Sequence, residues 1–315
     1  MSLIRKAEQL EINPKIKALI YGQAGMGKTT LALSAPKPLL FDFDGGVHRV
    51  HFGHLKGVGI VQITRYQDFI DVLDKEDLSP YETLVIDTGG KLLDYMAEHI
   101  VRRSPKLGRQ NGMLTLQGYG ERKAMFTSIV KKVSVMGKHI LFVAHRETKQ
   151  EGDDLIYKPI FGGSNYDSLV TELDLVGYME ANGRNRTITF DPTSRNDGKN
   201  TCNLPSVMTI PEIVNSDGEM TAENTFFSEM IIKPYIERLE QRTFDLGKYE
   251  EVIAQIKEEV QSITDVESAN KFVKRIDEIE HVGSSKSMAR TLLVKRVSEL
   301  GLKWNKSKKV YEFTA

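Results

Sequence analysis

The run Gly22-Gln23-Ala24-Gly25-Met26-Gly27-Lys28-Thr29 is glycine, four residues, then Gly-Lys-Thr, which is the Walker A spacing. Phosphate oxygens need several backbone N–H groups converging at close range, and glycines at 22, 25 and 27 keep side chains out of that space. Lys28 is then placed to reach the β and γ phosphates, Thr29 to ligate Mg²⁺, and Thr30 completes the set holding the nucleotide. A second run, Thr83-Leu84-Val85-Ile86-Asp87, is apolar and ends in a carboxylate. That is the Walker B arrangement, in which the aspartate holds the metal's coordination shell. ATP and Mg²⁺ are the expected ligands.

These residues need a frame of strands and helices. Ala18–Tyr21, Leu39–Phe41, Gly59–Ile63, Thr83–Ile86, Ile140–Ala144 and Leu173–Tyr178 are short, apolar on both faces and bounded by Gly, Pro or Asp. Such runs read as strands of a buried parallel sheet. Tyr66–Asp77, Leu92–Arg103 and Tyr119–Met136 carry helical spacing, with Phe126, Ile129, Val130 and Val133 on one face. The alternation predicts an α/β fold, a doubly wound and mostly parallel sheet. The loop at Gly22–Thr29 falls between a strand and a helical run, Thr30–Ser34, and Thr187–Asp191 reads as a further strand. The expected organisation is an N-terminal segment (1–14), an ATPase core (15–214), a linker or loop (215–224) and a helical C-terminal region (225–315). In the last, Ile253, Ile256, Val260 and Ile263 form one stripe, Ala269, Phe272, Val273 and Ile276 a second, and Met288, Leu292 and Val297 a third. A hairpin around Asn305–Lys309 closes the chain.

Beyond these two motifs the chain resembles the RecA-like P-loop NTPases over about residues 15–205. The strand after the first helix ends Phe41-Asp42-Phe43-Asp44-Gly45-Gly46, and Asp44 matches the acidic residue that activates the attacking water in RecA-type recombinases. RecA carries a glutamate there, one methylene longer. The strand Ile140–Ala144 is followed by His145, which matches the polar residue that senses the γ-phosphate and replaces a glutamine. Phe161-Gly162-Gly163-Ser164 resembles the glycine pair after RecA's second DNA-binding loop. The likeness is greatest to phage-encoded RecA-like ATPases that promote single-strand annealing. It implies single-stranded DNA as partner, a homo-oligomer, a single-strand binding protein as a further candidate partner, and Arg195 or Lys199 as candidates to reach a neighbouring subunit's ATP. For Asp44 the alternative is an aspartate that opens the Gly45-Gly46 turn, and for His145 a satisfied histidine at a strand end.

Charge bears on the DNA expectation. The chain has 43 basic and 43 acidic residues, so its total is silent about nucleic acid. Arg102–Gly112 holds four basic residues and no acidic one, as a mobile loop following a phosphate backbone would. The segment Arg146–Gly163 occupies the second loop's position but is mixed in charge. From Gly283 to Ala315 eight Lys or Arg face two Glu, with Trp304, Tyr311 and Phe313 as possible stacking faces; a packed helical cap is the alternative. One cysteine, Cys202, fits a reducing compartment, and no apolar run is long enough for a membrane span. The reading is a cytoplasmic ATPase, in a bacterial host's cytoplasm if phage-encoded, acting on single-stranded DNA in recombination or annealing. A nucleotide-switched binding or assembly protein is the main alternative, and a P-loop kinase the lesser one.

Overall fold

A computed structural model describes residues 14–313. The expected N-terminal segment therefore lies, but for its last residue, outside the described residues. Two compact units divide at Tyr235 and Ile236.

The first unit opens β1 (Lys17–Gly22), α1 (Lys28–Ala32), β2 (Pro38–Asp42), β3 (Gly59–Gln62), α2 (Tyr66–Lys75), β4 (Thr83–Asp87), α3 (Gly89–Arg103) and α4 (Leu116–Val135). It continues with β5 (His139–Glu151), β6 (Asp154–Pro159), α5 (Tyr166–Val170), β7 (Leu175–Asn182), β8 (Asn185–Thr189), β9 (Lys199–Asn200) and β10 (Val207–Ile210). The main sheet runs β10-β8-β7-β1-β5-β4-β2-β3. Its pairings from β7 to β3 are parallel, and β8 and β10 add antiparallel strands at one edge. This is the mostly parallel α/β sheet expected. One strand, β5, separates the strand that feeds the phosphate loop from the strand that carries Asp87.

Both faces of the central strands are buried, which is why their sequences do not alternate with polar residues. Leu19, Tyr21, Phe41, Ile86 and Phe142 join Phe69 of α2, Leu92, Leu93 and Met96 of α3 and Phe126, Ile129, Val130 and Val133 of α4 in one cluster. Ala18, Ile20, Leu40, Val85, Leu141 and Val143 alternate with the strand residues of that cluster, so they point the other way, and they too are buried.

Two expectations change. Strand β5 is far longer than Ile140–Ala144, and the segment after His145 is a β-hairpin with β6, not a loop. Gly152 at φ 65° turns it between Glu151 and Asp154, the two-residue connection that hairpins favour. The stretch after Arg103 is also folded. Leu107 and Leu114 are buried with Ile100, and Gly108 bridges Leu114, so the exposed tip is a turn at 109–112. Residues 215–224, expected as a linker or loop, form a turn inside the first unit, with Val214 bridging Met220 and Asn224 donating to the Thr30 carbonyl.

The second unit, from Ile236, contains α6 (Lys233–Gln261) from its fourth residue on, α7 (Val266–Arg275), α8 (Ser285–Glu299) and the hairpin β11 (Leu302–Asn305) and β12 (Val310–Phe313). Its own core joins Ile256, Val260, Ile263, Ala269, Phe272, Leu293 and Tyr311. In α8 the buried line is Ala289, Leu293 and Val297, at i, i+4, i+8, whereas Met288 is exposed. Val297 of the expected third stripe is thus in the core, while Ala289 and Leu293 take the places expected for Met288 and Leu292, because the small Ala289 gives little hydrophobic signal.

Candidate active site

The phosphate loop is built by β1 and closed by α1. Gly22 is needed for packing: a Cβ there would lie 2.6 Å from the Met179 carbonyl oxygen on β7. Gly25 and Gly27 have φ of 77° and 86° with open space beside them, so only these two serve the strained loop whose N–H groups turn outward. Helix α1 has five residues, shorter than the expected run to Ser34. Its dipole is correspondingly small, and the loop amides and Lys28 carry the anion attraction. Lys28 is buried, and its Nζ donates to the Gln23 carbonyl at 2.7 Å.

Thr29 and Asp87 meet, the threonine hydroxyl donating to Asp87 Oδ2 at 2.5 Å. Among the described residues no group of three or more His, Cys, Asp or Glu could hold a metal. A hydroxyl and one carboxylate suit Mg²⁺, which retains waters and takes phosphate oxygens rather than demanding an all-protein cage. Burial pushes the Asp87 carboxyl up to about 6, against the Thr29 hydrogen bond. Burial also brings Lys28 down to about 8, against the pull of Asp87 and Asp44.

The sign of the pH dependence follows. The nucleotide-bound site holds Lys28 protonated, so above pH 8 binding takes up a proton and affinity falls as pH rises. The cation-bound site holds Asp87 deprotonated, so below pH 6 binding releases a proton and affinity falls as pH falls. Mg·ATP affinity is expected to be greatest between these limits and to drop roughly tenfold per pH unit outside them. Calorimetric titration in buffers of different ionisation enthalpy checks both limbs, and Asp87→Asn should remove the protein's part of the acid limb.

Asp44 sits just past β2. Its Oδ1 accepts from the Gly46 amide at 2.9 Å, the turn geometry given as its alternative role, and its Oδ2 lies 3.5 Å from an Arg49 nitrogen. Asp42, buried at the end of β2, accepts from Gly46 and Val47 amides and so ties the same turn down. Asp44's charge acts on Lys28, Asp87 and His145. His145 pairs in register with Gly22 at the mouth of the loop. Burial, then Lys28, lowers its imidazole's pKa, so it is neutral at neutral pH and can both donate and accept.

The structure adds residues that no motif announced. A cavity of about 670 Å³ opens beside Met26, Gly27 and Thr30. Its other walls include Arg49, His54, Arg186 and Ile213. His54 is buried and its Nδ1 has no partner among the described residues. Arg186 Nε donates to the Met26 carbonyl at 3.1 Å, bracing the loop from β8. Arg146 donates to the Tyr178 hydroxyl at 2.6 Å, stacks over Tyr157 and reaches Gln23 at 3.4 Å. The one sequence signal for any of these was the dense run Val47-His48-Arg49-Val50-His51-Phe52-Gly53-His54.

The remaining candidates lie elsewhere. Lys199 Nζ donates to the Val170 and Thr171 carbonyls, which commits it within its own chain, while Arg195 is exposed. In the second unit Trp304 and Phe313 are 41% and 67% exposed, but Tyr311 is buried at 8% and belongs to the core. Among the described residues no helix is long and apolar enough to cross a membrane.

Comparison with known proteins bears on this geometry. No curated protein matches the chain. Among solved structures it is similar to the flagellar accessory protein FlaH from Methanocaldococcus jannaschii, at 10% identity and a TM-score of 0.35 over 64% of this chain and 88% of that one. The family model described as an AAA domain (AAA_24) matches residues 14–202. That span is more than half the sequence and encloses the phosphate loop, Asp44, Asp87 and His145, so the chain belongs to the AAA domain family.

Proposed function

We propose that this AAA-domain protein is a Mg²⁺-dependent ATPase that binds single-stranded DNA and assists annealing or strand exchange, as phage-encoded RecA-like ATPases do. The observation that carries the ATPase reading is the Thr29–Asp87 pair next to the buried Lys28 of the phosphate loop, with Asp44's charge acting on both Lys28 and Asp87. The cavity beside Met26, Gly27 and Thr30 has room for a nucleoside. ATP binds with its base toward His54 and its γ-phosphate toward His145. Lys28 exchanges the Gln23 carbonyl for phosphate oxygens, and Thr29 and Asp87 hold Mg²⁺, which when bound neutralises charge on the β and γ oxygens. Asp44 orients a water and accepts its proton, while neutral His145 hydrogen-bonds the γ-phosphate or the water.

The DNA part rests on distribution of charge. In the second unit Arg290, Lys295, Lys303, Lys306, Lys308 and Lys309 are exposed, beside Trp304. A second patch is Arg102, Lys106 and Arg109 around the turn at 109–112. Bacterial cytoplasm is the compartment that supplies both ligands. The test is ATP turnover with and without single-stranded DNA, alongside particle size with and without ATP. Slow turnover indifferent to DNA, with ATP-dependent assembly, would favour the nucleotide-switched assembly protein instead.

Deleting residues 283–315 would remove Leu293, Val297 and Tyr311 from the second unit's core, so substitutions are the cleaner probe. Replacing Lys303, Lys306 and Lys309 by Gln is expected to weaken single-stranded DNA binding while ATP turnover without DNA stays unchanged. If all three meet phosphates, the slope of log affinity against log salt falls by about 2, at roughly 0.7 per contact. An unchanged slope would move the DNA site to the Arg102–Arg109 patch.

A further inference from the structure

An ATPase centre gains most when positive charge meets the transferring phosphoryl group, and an arginine can come from the same chain or from a neighbour. Lys199 is tied to carbonyls, and Arg195 lies exposed in the loop after β8. Arg186 and Arg146 hold the loop and the β5–β6 hairpin through hydrogen bonds of 3.1 Å and 2.6 Å. Arg184 is paired with Glu212 at 3.1 Å. Arg49 differs from all of these.

Its guanidinium touches Asp44 Oδ2 and the Gly46 carbonyl, each at 3.5 Å, the outer limit of a hydrogen bond. The side chain is 66% exposed, so little holds it where it is. Its backbone, by contrast, is fixed. Val47–Arg49 form a single 3₁₀ turn whose entry is held by Asp42 through the Gly46 and Val47 amides. The guanidinium lies across Gly46, where a Cβ would collide with it and with Asp44 Oδ1. Arg49 also lines the cavity beside Met26, Gly27 and Thr30. A loosely held arginine on a rigid base thus stands between the water-activating carboxylate and the nucleoside cavity.

We infer that Arg49 is a catalytic arginine supplied in cis, which leaves Asp44 when ATP binds and takes an oxygen of the triphosphate. The inference rests on the ATPase reading above. In the step it serves, a water oxygen bonds to the γ-phosphorus and the bond from that phosphorus to the β–γ bridging oxygen breaks. The electron pair leaves with ADP, and Asp44 takes the water's proton before passing it to phosphate. Arg49 has two consequences there: it offsets charge on the phosphoryl oxygens, and its departure frees Asp44 Oδ2 for the water.

The test uses the full-length chain and three variants. Arg49→Ala is expected to lower kcat by about 10³-fold, the lower range for such arginines, with ATP affinity changed only a few-fold; Arg49→Lys recovers part of the loss. Mixing Arg49→Ala with Lys28→Ala protein separates cis from trans. The first has an intact phosphate loop and the second an intact Arg49, so an arginine acting across subunits would restore turnover in the mixture. No recovery supports the inference. Recovery in the mixture, or wild-type turnover by Arg49→Ala, overturns it. Loss of tight ATP binding in Lys28→Ala alone tests the underlying ATPase reading, so the two can fail separately.

Discussion

Lys28→Ala is expected to lower Mg·ATP affinity by about 10²- to 10³-fold while the protein stays folded. Truncating one partner of a hydrogen-bonded charge pair costs about 2–5 kcal/mol, and each 1.4 kcal/mol is roughly tenfold in affinity. The fold should survive because Lys28 is buried at the loop, outside the apolar clusters of the sheet. Its side chain hydrogen-bonds the Gln23 carbonyl, and losing such a bond costs about 0.5–1.5 kcal/mol. A fluorescent-nucleotide titration, with the thermal transition followed in parallel, separates the two effects. Unchanged affinity in a folded variant would remove the loop from nucleotide binding altogether.

Asp44→Asn is the second large effect, on rate and not on binding. Turnover should fall by about 10²-fold or more, the usual cost of losing a general base. Asparagine keeps a carbonyl oxygen to accept from the Gly46 amide, so the turn at 44–46 persists and ATP binding with it. Single-turnover hydrolysis with protein in excess reads the chemical step directly. A variant that turns over at the wild-type rate would leave Asp44 as a turn residue only. Asp42 would be a poor replacement, since its oxygens are already engaged by two backbone amides.

The parallel sheet was legible because its strands are apolar on both faces, and the phosphate loop because its glycines and lysine keep a fixed spacing. Asp87 was legible for the same reason, a carboxylate at the end of an apolar run. What stayed hidden depends on distance along the chain. The walls of the cavity beside the phosphate loop come from residues 26–31, 49–54, 179–186 and 210–230, which share no period and meet only after the sheet forms. Arg49 carried no spacing rule relative to the loop, although it follows Asp44 by five residues. The length of β5 was readable in part: Gly152-Asp153 is a hairpin turn signal, and the apolar criterion overlooked it because the flanking strands are polar. The N-terminal role of Gly22 was assigned to phosphate access, whereas close approach of β7 explains it.

The 13 residues of β5 have a mechanical consequence. The strand pairs with β4 up to Val143 and with β1 up to His145, and from Arg146 to Glu151 it is one arm of the hairpin. Six extended residues reach about 20 Å at about 3.3 Å each. A paired strand bends far less readily than a loop, so the arm behaves as a lever whose fulcrum is His145. A small rotation at His145, or a change in Arg146's grip on Gln23 and Tyr178, is magnified at Gly152.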